Sequence, residues 1–160
     1  MPGRGIQHID LAVGDVERSL AFYLDVLGPL GMRELERYPT YRGTEEVVYL
    51  HFGDEGLGLR PADGGDHRYY DVGLEHLAFE VDTSEEVDAA YERCLGRGDR
   101  IDCPPEEDSD IPGYYAFFVF DPDGFRIEVF SPGPEWSSRI HVTSQASGQQ
   151  NLFKAGKPDE

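Results

Sequence analysis

The sequence repeats itself. His8-Ile9-Asp10-Leu11-Ala12-Val13 and the run after it to Leu27 align without a gap, at an offset of 68, with His76-Leu77-Ala78-Phe79-Glu80-Val81 and its continuation to Leu95. Across these twenty positions six are identical: His8 with His76, Val13 with Val81, Glu17 with Glu85, Ala21 with Ala89, Tyr23 with Tyr91 and Leu27 with Leu95. Six identities in twenty gain weight from the strand-then-helix pattern that both copies share, and together they point to two like units.

Each copy opens with period-2 alternation. Ile9, Leu11 and Val13 point one way, and His8, Asp10 and Ala12 the other. Leu77, Phe79 and Val81 likewise oppose His76, Ala78 and Glu80. That is a strand with one apolar face. A helix follows each strand. In the first, Asp15 is the predicted N-cap, Leu20, Tyr23, Leu24 and Leu27 form the apolar stripe, and Gly28-Pro29 stops it. In the second, Thr83-Ser84-Glu85-Glu86 reads as a capping box, Val87, Ala90, Tyr91, Cys94 and Leu95 form the stripe, and Gly96 and Gly98 end it. Further strands are predicted near Met32–Tyr38, Glu46–Phe52 and Leu57–Pro61, then near Arg100–Cys103, Tyr114–Phe120 and Phe125–Phe130. Asp121-Pro122-Asp123-Gly124 marks the last turn. The expected fold is α+β, with two tandem β-α-β-β-β modules at about 6–61 and 74–131, a linker at 62–73, and one domain over 1–132.

Charge sorts the chain further. It carries 32 acids against 14 bases in 160 residues, a net charge of -18. All of it lies in residues 1–132, with 29 acids and 11 arginines; residues 133–160 hold three of each sign. Those last residues are rich in Ser, Gln and Gly and read as a polar C-terminal extension. A body this acidic repels phosphate backbones, which argues against nucleic acid as a partner. No run reaches the ~18 apolar residues that span a bilayer, and the first residues do not resemble a secretory signal. Cys94 and Cys103 are the only cysteines; two unframed thiols suit a reducing, cytoplasmic setting.

Strand parity gathers candidate chemistry. His8 and His76 lie on the faces opposite the helices of equivalent strands. In the last strand Phe125, Ile127 and Val129 are the apolar set, so Glu128 shares the polar face. If the two modules set these faces together, His8, His76 and Glu128 converge. Two imidazoles and a carboxylate suit one divalent ion such as Fe, Mn, Zn, Ni or Co, with positions left open for substrate. The bland alternative is that each His fills a polar niche. Subtracting 68 from Glu128 gives Arg60. Its guanidinium either recognises a substrate carboxylate or enolate oxygen or pairs with a neighbouring acid. Tyr49 and His51 share a strand parity, as cavity-lining substrate contacts or as ordinary sheet residues.

These segments resemble the vicinal oxygen chelate superfamily of glyoxalase I, extradiol dioxygenases, methylmalonyl-CoA epimerase and fosfomycin and bleomycin resistance proteins. The likeness covers about residues 6–131. It is carried by His8–Val13 with Ala21-Phe22-Tyr23 and Leu27-Gly28, by Gly73–Phe79, and by Asp121–Glu128. The resemblance implies paired modules forming a curved mixed sheet around a central cavity, helices outside, with metal ligands at His8, His76 and Glu128. It implies an enzyme that chelates two adjacent oxygens of a small substrate for lyase, isomerase or ring-cleaving dioxygenase chemistry. A metal-free sequestering or antibiotic-resistance protein is the alternative. Glyoxalase I has a fourth ligand where the repeat puts Arg60. Phe118 lies where the dioxygenases have a tyrosine; Tyr114, Tyr115, Tyr49 and His51 are the substitutes, with Tyr115 the candidate catalytic group. Modules of this family pair within one chain or across two copies, as in a homodimer.

Overall fold

The computed structural model describes residues 5–40, 45–65 and 67–133. The C-terminal extension apart from Gly133 lies outside them. The first module runs β1 (His8–Val13), α1 (Val16–Leu27), a single 3-10 turn at Gly28–Leu30, β2 (Arg33–Pro39), β3 (Glu46–Phe52) and β4 (Glu55–Pro61). The second runs β5 (Leu77–Glu80), α2 (Ser84–Arg97), β6 (Ile101–Glu107), β7 (Tyr115–Phe120) and β8 (Arg126–Ser131).

Each module makes its own four-stranded mixed sheet, in the orders β1-β4-β3-β2 and β5-β8-β7-β6. The first strand is parallel to the fourth and the other pairings are antiparallel. The sheets are not closed into one: β1 and β5 are both edge strands among the described residues. The likeness between the modules therefore extends from sequence to strand order.

Local signals set the helices. Asp15 accepts from the Arg18 amide at 3.0 Å and caps α1. Thr83 Oγ1 accepts from the Glu86 amide, and Glu86 Oε2 accepts from the Thr83 amide at 3.2 Å, a complete capping box. Helix α2 continues through Gly96 and stops at Gly98, which adopts φ +77°, a conformation open to glycine at little cost. Strand β6 is longer than the sequence suggests. It passes through Pro104 and Pro105 to Glu107. As an edge strand with register shifts it tolerates residues that cannot donate to a ladder.

The apolar stripes of α1 and α2 meet the inner faces of the sheets in one core. Phe22, Tyr23 and Phe117 are its largest fully buried side chains. Removing that much apolar surface from water is the main force holding the modules together. A polar latch adds direction. Tyr23 donates its hydroxyl to Asp121 Oδ2 at 3.0 Å, while Asp121 Oδ1 accepts from the amides of Asp123 and Phe125. Asp123 in turn accepts from the Gly14 amide, Arg18 and the Ser19 hydroxyl. The Asp121–Gly124 turn is thus a plug seated on the start of α1 as well as a hairpin.

Candidate metal centre

Sheet registers place the polar residues. In the second module, Glu128 lies opposite Ala78 on one side and Phe118 on the other. Tyr115 reaches the other way and donates to Asp88 on α2, so the set containing Phe118 and Glu128 faces away from the helices. His76, just before β5, presents its Nε2 3.1 Å from Glu128 Oε2. Glu128 is only 5% exposed. Its other oxygen, Oε1, accepts from the Tyr114 hydroxyl at 2.7 Å. Burial and the Glu128 carboxylate hold that phenol protonated, well above its usual range. The Nδ1 side of His76 is engaged by Glu75. Arg126 spans Glu75 and Asp102, and its guanidinium lies 3.7 Å over the Phe118 ring.

The first module repeats this geometry. The Nδ1 side of His8 is engaged by Gln7. The His8 ring stands edge-on to Tyr49 at 5.8 Å and 84°; His76 stands edge-on to Phe118 at 5.9 Å and 86°. Tyr49 and Phe118 occupy matching places, opposite Gly58 and Glu128 respectively. In both modules a neighbouring side chain holds Nδ1, which leaves Nε2 as the outward nitrogen. Arg60 Nε donates to Asp10 Oδ2 at 2.5 Å, and its Nη2 donates to the Tyr49 hydroxyl at 2.9 Å. His51 pairs with Gly56, and Gly56 with His8, so the two imidazoles sit in one row with a glycine between them.

The structure thus brings together His76 with Glu128, and His8 with Tyr49 and Arg60. It does not bring these two groups to each other. Among the described residues no three ligand-type side chains converge on one point. Tyr115 joins neither group. The arithmetic that equates Glu128 with Arg60 also meets a different register. Glu128 faces Ala78, the repeat partner of Asp10, and Asp10 faces Gly58. The place across from Glu128's is therefore held by Gly58. The loops between the helix and last strand differ by two residues in the modules, which a gapless offset cannot register. Asp10, Glu75 and Gln7 share one sequence signal: each lies within two residues of a histidine on a strand or its lead-in.

The donor set of the second group suits a divalent ion. Two ligand atoms bound at about 2.1 Å to one ion, near a right angle, lie about 3 Å apart. The His76–Glu128 spacing is 3.1 Å. A buried carboxylate with one oxygen turned to an outward imidazole nitrogen is costly without a cation or proton between them. A cleft of about 730 Å³ lies elsewhere, with Ile6, Ile9, Phe52, Leu77, Phe79 and Phe130 in its lining. It touches none of His8, His76 and Glu128. His8 and Tyr49 border a smaller hollow of about 310 Å³ with Leu35 and Tyr38.

Known proteins share this arrangement of modules. Residues 5–129 match the family model of the Glyoxalase/Bleomycin resistance protein/Dioxygenase superfamily. A lactoylglutathione lyase from Neisseria meningitidis is 34% identical over 125 residues, covering 76% of this chain and 86% of that one. The crystal structure of a glyoxylase/bleomycin resistance protein/dioxygenase domain from Frankia superposes with a TM-score of 0.69 at 25% identity, covering 82% of this chain and all of that one. The fosfomycin resistance protein FosX from Listeria monocytogenes, solved with Mn(II) and sulfate, has the same fold at 20% identity, with a TM-score of 0.64 and coverage of 86% and 99%. Matched by that family model over residues 5–129, the chain belongs to the Glyoxalase/Bleomycin resistance protein/Dioxygenase superfamily.

Proposed function

We propose that this chain is a mononuclear divalent-metal enzyme of the lactoylglutathione lyase type, acting on a small substrate with two adjacent oxygens, and that His8, His76 and Glu128 hold the ion. The observation that carries the reading is the buried Glu128 carboxylate with Oε2 3.1 Å from the outward nitrogen of His76. The repetition of the histidine geometry at His8, and the 34% identity to a lactoylglutathione lyase, support it. When bound, such an ion polarises substrate oxygens as a Lewis acid.

The chain's own residues have separable tasks. Gln7 and Glu75 fix the imidazoles so that Nε2 faces outward. Tyr114 occupies Oε1 of Glu128, which leaves Oε2 as the ligand atom. Arg60 and Tyr49 offer hydrogen-bond donors beside His8 for a substrate carboxylate or enolate oxygen, with His51 along the same row. Asp10 on Arg60 raises the guanidinium pKa, so that group stays a cation.

The two half-sites meet across two copies of the chain, with the His8 face of one set against the His76 face of the other. Apolar exposure around His8 supports this: Leu35 is 63% and Tyr38 48% exposed, and both border the hollow that His8 lines. Such surface is costly to leave in water.

Lactoylglutathione lyase activity of metal-stripped protein, measured before and after adding Mn, Fe, Co, Ni or Zn ions, tests the reading. Activity appears with at least one ion and falls at least about 100-fold in His76→Ala and Glu128→Gln. Equal activity with and without metal overturns it. The apolar 730 Å³ cleft favours a second reading, sequestration of an apolar molecule without metal. Ligand binding that survives chelation and Glu128→Gln would select that reading.

A further inference from the structure

The two modules carry the same pair of residue types in exchanged positions. In the second module the first strand offers a small residue, Ala78, opposite a carboxylate, Glu128, on the last strand. In the first module the first strand offers the carboxylate, Asp10, opposite a small residue, Gly58, on the last strand. The row is the same in both, since Tyr49 stands beside Gly58 and Phe118 beside Glu128. Each row lies two residues beyond its histidine, His8 or His76. A carboxylate therefore sits over the same place in each module and enters from neighbouring strands.

Packing couples the two positions, because a side chain at Gly58 would have to displace the Asp10 carboxylate. A Cβ on Gly58 would lie 1.9 Å from Asp10 Oδ1 and 2.9 Å from Asp10 Cγ. No side chain fits at Gly58 while Asp10 is in place. Gly58 is open because the Asp10 carboxylate uses its room. That carboxylate is also aimed. Its Oδ2 accepts from Arg60 Nε at 2.5 Å, and Arg60 is steadied by Tyr49. The two bonds leave Oδ1 as the oxygen over Gly58, on the face that carries His8.

We infer that Asp10 is a further oxygen donor to the divalent ion, acting through Oδ1, with Arg60 as its positioning residue. The inference rests on the metal reading above and adds to it a ligand that enters from β1. It also changes the role of Arg60, whose guanidinium holds a ligand as well as facing substrate. A second carboxylate makes the donor set harder and suits ions such as Mn(II).

Titration calorimetry with Mn(II) on the full chain tests this, using three proteins: the unaltered chain, Asp10→Ala, and Asp10→Ala combined with Gly58→Glu. The double change moves the carboxylate across the row into the Ala78/Glu128 arrangement. Asp10→Ala weakens Mn(II) binding at least about 10-fold, and the double change restores most of that loss. The visible absorption of the Co(II)-loaded protein intensifies in Asp10→Ala, as a ligand is lost, and returns in the double variant. If Asp10→Ala binds Mn(II) as tightly as the unaltered chain with an unchanged Co(II) spectrum, the inference is wrong while the metal reading stands. If the unaltered chain takes up no Mn(II), Co(II), Ni(II), Fe(II) or Zn(II), both fall together.

Discussion

Asp121 shows how one residue can serve the fold at an electrostatic cost. Burial raises its pKa above the ordinary 3.8, outweighing the amide and tyrosine hydrogen bonds that pull it down. In the pH window between the unfolded value and the raised folded one, the folded state holds a proton that the unfolded chain has released. Stability from this group is fully present below the unfolded pKa and is lost as pH rises through the folded one. Asp121→Asn removes this dependence. The difference in urea midpoint between Asp121→Asn and the unaltered chain, followed from about pH 3 to 7, shifts in favour of the variant as pH rises. A difference that is flat or runs the other way contradicts this role. The two cysteines make a second contrast. Burial pushes the Cys94 thiol up to about 12, whereas Cys103 is partly exposed. One thiol reacts rapidly with a disulfide reagent in the native protein and two react in denaturant. Rapid reaction of both without denaturant would show that α2 is not packed as described.

At the scale of elements, what could be read in the sequence was what depends on neighbours along the chain. The α2 start follows from Thr83 and Glu86, whose mutual hydrogen bonds need only a spacing of three. Thr83→Ala removes that cap and lowers unfolding free energy by about 1 kcal/mol in urea denaturation. No loss would mean that packing alone holds the helix end. The parity of His8, His76 and Glu128 was legible for the same reason, because side chains alternate along a strand. Register between strands was not. It is set by turn lengths and cross-strand packing, so a fixed offset of 68 led to Arg60, and the pairing leads to Gly58 and Asp10. Tyr115 and Tyr114 show how sharp that limit is: one residue reverses the face, sending Tyr115 to Asp88 and Tyr114 to Glu128.

Over the whole molecule, the net charge of -18 resides in residues 1–132 rather than in the extension. Self-repulsion on that scale opposes compaction and is screened by salt. Melting temperature rises as NaCl is raised from about 0.05 to 0.5 M, by several degrees; no change would mean that the ion pairs already balance the surface. Within the chain, the pseudo-symmetric modules present two polar clusters that do not meet among the described residues, each with a histidine and a carboxylate on the face away from its helix. In the function proposed above, one centre needs both clusters, taken from two copies. Mixing His8→Ala with Glu128→Gln tests this, since on that proposal neither variant alone holds the metal. After unfolding and joint refolding, half-sites from the two variants make one intact centre in each mixed dimer, and about a quarter of the unaltered metal binding and lyase activity returns. If the mixture stays as inert as its components while the unaltered chain, refolded in the same way, recovers, the shared centre is contradicted.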